Sequence, residues 1–355
     1  MKNVLLSAGL ALSLAACATT ERELPQGVAA TGDTPRVVHA AGVTLAGPGI
    51  APNRLVDADD PALWADPSNP TRGLIFGTDK TNGLYVHDLD GTQRGYFGDG
   101  PLNNVDLRPG FRVNGKEYVL VAATERERFG IMTWLLDPAT LEVMRYGFVP
   151  TDFGEPYGFC MGKRGADFFL VANNKEGEVR SYRVTAGADG PMATLARTMR
   201  VGSQPEGCVV DDSADRLYVG EEDVGIWRFS FDPAGTDAAV SVAAIDNQRL
   251  TADVEGLALL RDRGATYLIA SSQGDSTYPV WRVEGDSHTY VGRFTIAGGA
   301  QPMVRSTDGV DAWSGPIGRY PEGLIAVHNQ AGQPTGNQNY VLVDWRDVKR
   351  ALSLP

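Results

Sequence analysis

Cationic charge, cysteine, histidine and long apolar runs are all scarce in this chain of 355 residues, and each shortage closes off a class of function. Lys and Arg number 32 against 44 Asp and Glu, a formal net charge of −12 that argues against a nucleic-acid groove and a polybasic membrane patch. The four histidines, His39, His87, His288 and His328, stand in dissimilar contexts, and no Arg-His-Gly sequence occurs, which removes a phosphohistidine mechanism. Of the three cysteines, Cys160 and Cys208 lack the arginine six positions on that a cysteine-nucleophile phosphatase loop needs, because Ala166 and Ala214 stand there. The apolar run from Val4 to Leu14 is too short to span a bilayer.

What is present is glycine and proline, 42 and 21 residues, in a chain that is 43% apolar: enough core for a large folded unit, with many turns and few long helices. Lys2 and the apolar run behind it read as a signal peptide, and Leu14, Ala15, Ala16 and Cys17 resemble a bacterial lipobox. Residues 1–16 are then a lipoprotein-type signal peptide, with Cys17 the lipidated first mature residue and residues 17–35 a flexible tether. Ala18 after the cysteine fits an outer-membrane address, facing the periplasm or the cell surface, so the lipid at Cys17 is the expected membrane contact. Export places Cys160 and Cys208 in an oxidising compartment, where they either form a disulfide or remain two small buried thiols.

Across residues 36–355 one pattern recurs six times: an acidic or polar residue, a short apolar strand, a turn, and a second strand rich in Val, Ile, Leu and Tyr. The units open at "DADDPALW", "NNVDLRPGF", "EPYGFCMG", "QPEGCVVD", "ADVEGLAL" and "RYPEGLIAV". With Asp60, Asp106, Tyr157, Glu206, Glu255 and Glu322 as equivalents, the spacings are 46, 51, 49, 49 and 67. A period near fifty residues predicts an all-β, six-bladed β-propeller with an acidic central channel. "GLIAVHN" is expected as the inner strand of the sixth unit, the segment around "GGAQPMVRSTDGVDAWSGP" as a loop over one face, and "RVVHAAGVTLAG" as the strand that closes the ring. Five of the six equivalents are acidic, and Tyr157 has Glu155 two residues earlier. Converging carboxylates cannot all stay ionised without a counter-charge, which points to hard divalent cations, calcium before magnesium or manganese.

After the second strands stand Lys80, Arg126 and Lys175 in the first three units, then Glu222 and Gln273. A cationic arc facing a cation-loaded acidic arc suits a polyanion whose oxygens bridge both. Hydrolysis of a phosphate ester there needs neutralised oxygens and an activated water, and no protein nucleophile.

The motifs "DDPALW", "GTDKTNGLYVHDLDG", "NNVDLR", "YGF", "NKEGEV", "QPEGCVVDD", "LYVGEEDVGIW", "LTADVEGLAL", "ASSQGDSTY" and "YPEGL" resemble the β-propeller, calcium-dependent alkaline phytases from about Val56 to Trp345. The resemblance implies a 3-phytase-type phosphomonoesterase that hydrolyses phytate, myo-inositol hexakisphosphate, stepwise by attack of a calcium-activated water, and a monomer is expected. It implies that Asp59, Tyr157, Glu206, Glu222, Glu255 and Asp308 hold the active-site calcium ions and the water. Lys80, Arg126, Lys175 and Glu176 would meet the phosphates or their metals, and Asp60, Asn104, Asp106 and Gln273 would serve structural or channel sites. The chain departs from the family pattern at "GPGIAPNR", where an acidic segment is usual, and at His328, Asn329, Gln330, Ala331 and Gly332, where an acidic calcium loop is usual. The alternatives are a lactonase-like calcium propeller hydrolase or a binding propeller without chemistry.

Overall fold

The computed structural model describes residues 33–44, 56–298, 304–331 and 338–355. The signal peptide, Cys17, nearly all of the tether and the "GPGIAPNR" stretch lie outside the described residues. Five four-stranded sheets and one five-stranded sheet make six blades. Their inner strands are Ala58–Asp66, Leu102–Val113, Pro156–Arg164, Pro205–Asp211, Val254–Asp262 and Val310–Ser314. In blades one to five the chain runs outward through three antiparallel neighbours before crossing to the next blade. Second strands carry near-continuous apolar runs because blades pack on both faces. Leu74, Ile75 and Phe76 are all fully buried, as are Leu268, Ile269 and Ala270.

The sixth blade corrects the sequence reading. "GLIAVHN", Gly323–Asn329, is the second strand, and the inner strand is Val310–Ser314, inside the segment expected to be a loop. The short inner strand contains Asp311 and Trp313 instead of an apolar run, so hydrophobicity pointed one strand too far out. Glu322 is therefore no channel residue: it ion-pairs with Lys349 of the C-terminal helix Trp345–Leu352 and lies 3.9 Å from Arg263. The amino-terminal segment divides between two blades. Arg36–His39 adds a parallel fifth strand to blade five, and Gly42–Val43 pairs with Asn339–Asp344 as the outermost strand of blade six, closing the ring.

In blades one to five the inner strand enters through a two-residue bulge, where the ladder skips from Ala58 to Pro61, Leu102 to Val105, Pro156 to Phe159, Pro205 to Cys208 and Val254 to Leu257. The first bulge residues are Asp59, Asn103, Tyr157, Glu206 and Glu255, and Asp308 precedes Gly309 at the corresponding place in blade six. Asp59 and Asn103, not Asp60 and Asp106, are thus the true equivalents. The second bulge residue is glycine in blades three to six, because the neighbouring inner strand leaves no room for a side chain. A Cβ on Gly158 would lie 1.8 Å from the Glu206 carbonyl oxygen, and one on Gly207 would lie 2.0 Å from that of Glu255.

Inner strands of adjacent blades form no ladder, and side chains stitch them instead. Asp60 accepts from Val105 N at 3.0 Å, Asp106 from Met161 N at 2.7 Å and Asp311 from Leu63 N at 2.7 Å. Between blades three and four the stitch is covalent, a Cys160–Cys208 disulfide with Cα atoms 5.5 Å apart. Replacing both cysteines by serine should lower stability by about 2–4 kcal/mol through the released 48-residue separation, measured by guanidinium unfolding. Gly207→Ala should cost about 2–3 kcal/mol by overpacking; an unchanged midpoint would mean the blades are not in contact there.

Candidate active site

The bulge residues and the ends of the second strands meet at one mouth of the ring. Glu206, Glu222 and Glu255 each offer a carboxylate oxygen within 4.8 Å of the others. Glu206 is oriented by Asn103 Nδ2, which donates to its Oε1 at 2.8 Å, and Glu222 by Gln204 Nε2 at 2.6 Å. Glu255 Oε2 is buried with no hydrogen-bond partner among the described residues. Burial, then the neighbouring Glu206, raises the Glu255 carboxyl well above the carboxylate range. Glu222 is pushed up to about 8 by burial and then by Glu206.

Across the mouth, Lys80 Nζ bridges Asp59 Oδ1 at 3.1 Å and Asp308 Oδ2 at 3.0 Å. Asp59 Oδ2 has no partner among the described residues, and burial lifts this carboxyl to about 7 although Lys80 opposes the shift. Burial also disfavours the Asp308 anion, yet Lys80 and then His328 hold Asp308 below the usual carboxylate range. Gln273 Nε2 donates to Asp308 Oδ1 at 2.6 Å. On the third side, Arg126 and Lys175 lie over the Tyr157 ring, 5.5 and 4.7 Å from its centroid.

The sequence-predicted residues therefore separate into two sets. Asp59, Lys80, Arg126, Tyr157, Lys175, Glu206, Glu222, Glu255, Gln273 and Asp308 gather at the mouth. Asp60 and Asp106 belong to the inter-blade stitches, Asp106 also taking Arg108 Nη1 at 2.8 Å. Asn104 accepts from Asn103 at 2.9 Å, and Glu176 stands exposed on the turn after Lys175.

A profile of the family described as phytase matches residues 2–354. The chain belongs to the phytase family. The 3-phytase of Bacillus subtilis (strain 168) is 33% identical over 311 residues, covering 83% of this chain and 81% of that protein. Among solved structures, the Cps50 (Swd1) β-propeller domain of Myceliophteria thermophila aligns at 12% identity over 81% of this chain and 83% of its own, with a TM-score of 0.43. BBS1N in complex with ARL6DN aligns at 10% identity over 86% of this chain and 97% of its own, with a TM-score of 0.48.

In this phytase the donor set fits a hard divalent cation. The three clustered glutamates supply oxygen only, and Asp59, Asn103 and Glu255 each keep a buried oxygen without a hydrogen-bond partner among the described residues. Four contributors were missed in the sequence. Asn103 was passed over for Asn104, one register off, although the double Asn stood in the motif. Gln204 precedes the Pro-Glu-Gly motif and could have been read with it. Tyr340, whose hydroxyl accepts from Asp59 N at 3.3 Å and donates to Thr78 O at 2.6 Å, carried no local signal. Nor did His328, whose Nδ1 accepts from Asp308 N at 3.1 Å.

A divalent cation should raise the melting temperature by relieving the glutamate repulsion. Glu255→Gln should melt no lower than the parent in chelator, gaining up to about 1 kcal/mol, and should lose most of the cation-dependent rise. Scanning calorimetry with and without chelator checks both, and a full cation response in the variant would contradict the site.

Proposed function

We propose that this phytase is calcium-dependent and removes phosphates from phytate one at a time. The observation that carries this is the three-carboxylate cluster of Glu206, Glu222 and Glu255 facing Lys80, Arg126 and Lys175 across one mouth. Calcium held by the cluster would neutralise phosphoryl oxygens and acidify water.

The chain's own groups divide the remaining work. Lys80 and Arg126, with Lys175, bind phosphate oxygens, and the Tyr157 ring supports both Arg126 and Lys175 through cation–π contacts. Asp59, with one oxygen lacking a donor, is placed to take a proton from the water that attacks phosphorus. The phosphorus–oxygen ester bond breaks, the inositol oxygen regains a proton, and the phosphate departs. Each product keeps its other phosphates, so it remains a ligand for the same mouth until too few charges are left.

Export remains part of the reading, supported by the Cys160–Cys208 disulfide, a feature of oxidising compartments, and lipidation at Cys17 rests on the lipobox-like residues Leu14 to Cys17 alone. Phosphate release from phytate should require calcium and vanish in excess chelator. Glu206→Ala should lower kcat by about a hundredfold or more, as loss of a preorganised electrostatic group does. Lys175→Met should mainly raise KM, by about tenfold for a lost charge-assisted contact. Full turnover in chelator would rule the calcium reading out.

A further inference from the structure

Glu155 is not among the residues given a role above, yet it occupies the space between two of them. Its Oε1 lies 2.7 Å from Arg126 Nε and 3.7 Å from Lys175 Nζ. Both cations lie over the Tyr157 ring, and the carboxylate oxygen between them sits where an anion bridging both would place one of its own. Neither Arg126 Nη atom makes a hydrogen bond among the described residues, nor does Lys175 Nζ, whose other contact is the Tyr157 ring. The side chains of Arg126, Glu155 and Lys175 are 25%, 34% and 32% exposed, so a ligand can reach all three.

We propose that Glu155 is an internal competitor for the phosphate position between Arg126 and Lys175, and that it sets the charge an incoming ligand must carry to bind there. The proposal rests on the reading that Arg126 and Lys175 hold substrate phosphate. A carboxylate brings one negative charge and touches Arg126 through Nε alone. A phosphate brings nearly two charges and three acceptor oxygens, enough to take the open Nη atoms and Lys175 together. A partly exposed ion pair is weak, so a dianion can displace Glu155. Being tethered, Glu155 still competes at high effective concentration against free monoanions and against a lone phosphate. A substrate anchored elsewhere by further phosphates overcomes that competition, whereas a single-phosphate ester or the released inorganic phosphate does so poorly. Glu155 therefore favours multiply phosphorylated ligands and helps to eject product.

The test uses the full chain in calcium, with Glu155→Gln, which keeps the shape and removes the charge, and Glu155→Asp, which keeps the charge at shorter reach. Titration calorimetry with inorganic phosphate should give about fivefold tighter binding for Glu155→Gln, the scale of an exposed ion pair, and a smaller gain for Glu155→Asp. KM for a single-phosphate ester should fall more than KM for phytate, narrowing the preference. Unchanged or weaker phosphate binding in Glu155→Gln would overturn the proposal and make Glu155 a support for Arg126 or a cation ligand. Parent protein that releases no phosphate from phytate would sink the functional reading itself. Parent activity together with an unaltered Glu155→Gln phosphate affinity would sink only this inference.

Discussion

Six inner strands have to approach one axis closely enough to seal a ring, and in four of the six blades the backbones meet where a side chain is missing. Glycine at the second bulge position meets that need in blades three to six, most tightly where Gly158 faces Glu206 and Gly207 faces Glu255. The bulge that admits the neighbouring backbone also turns the preceding residue toward the mouth. Close packing of the ring and convergence of Glu206 and Glu255 therefore have the same cause. Carboxylates brought together in this way repel, and the rest of the site consists of ways to offset that repulsion.

Two such ways are built into the chain. Lys80 stands between Asp59 and Asp308 as a fixed counter-charge. Among the described residues no lysine ion-pairs with Glu206, Glu222 or Glu255, and amides from Asn103 and Gln204 orient two of the acids without supplying charge. That half fits a mobile cation and the other half carries a covalently attached one, so with a cation bound an anionic ligand would meet positive charge from both sides. Rigidity comes from the stitches beneath. Asn173 takes the Gly158 amide at 2.8 Å and gives to the Glu206 carbonyl at 2.8 Å, and the disulfide lies just below it. A small displacement of one blade would change every distance at the mouth, which is why the polar stitches and the site occupy neighbouring layers.

Most of the architecture was legible because blades repeat: apolar second strands such as "RLYVGEE" and "TYLIASS" return at a near-constant interval whatever lies between them. The sixth blade was misread because its inner strand carries Asp311 and Trp313 and lacks an apolar run. Taking Asp308 in place of Glu322 removes the long last interval. The acids next to glycine in the motif, Glu206 and Glu255, stand at the first bulge position, whereas the repeat pattern pointed to Asp60 where the bulge places Asp59. Two adjacent residues in a bulge point in different directions, and the string of letters does not say which one faces the axis.

The sequence by itself determined the number of blades and the pairing of acid with glycine, because these are periodic and local. Only the tertiary structure decided which oxygens remain without a donor, that Asp60 and Asp106 hold neighbouring strands, that His328 and Tyr340 stand behind Asp308 and Asp59, and that Glu155 lies between Arg126 and Lys175. Those contacts join residues brought together by ring closure, some of them more than two hundred positions apart. Hydrogen-bond satisfaction depends on three-dimensional distance and direction, which no local pattern encodes.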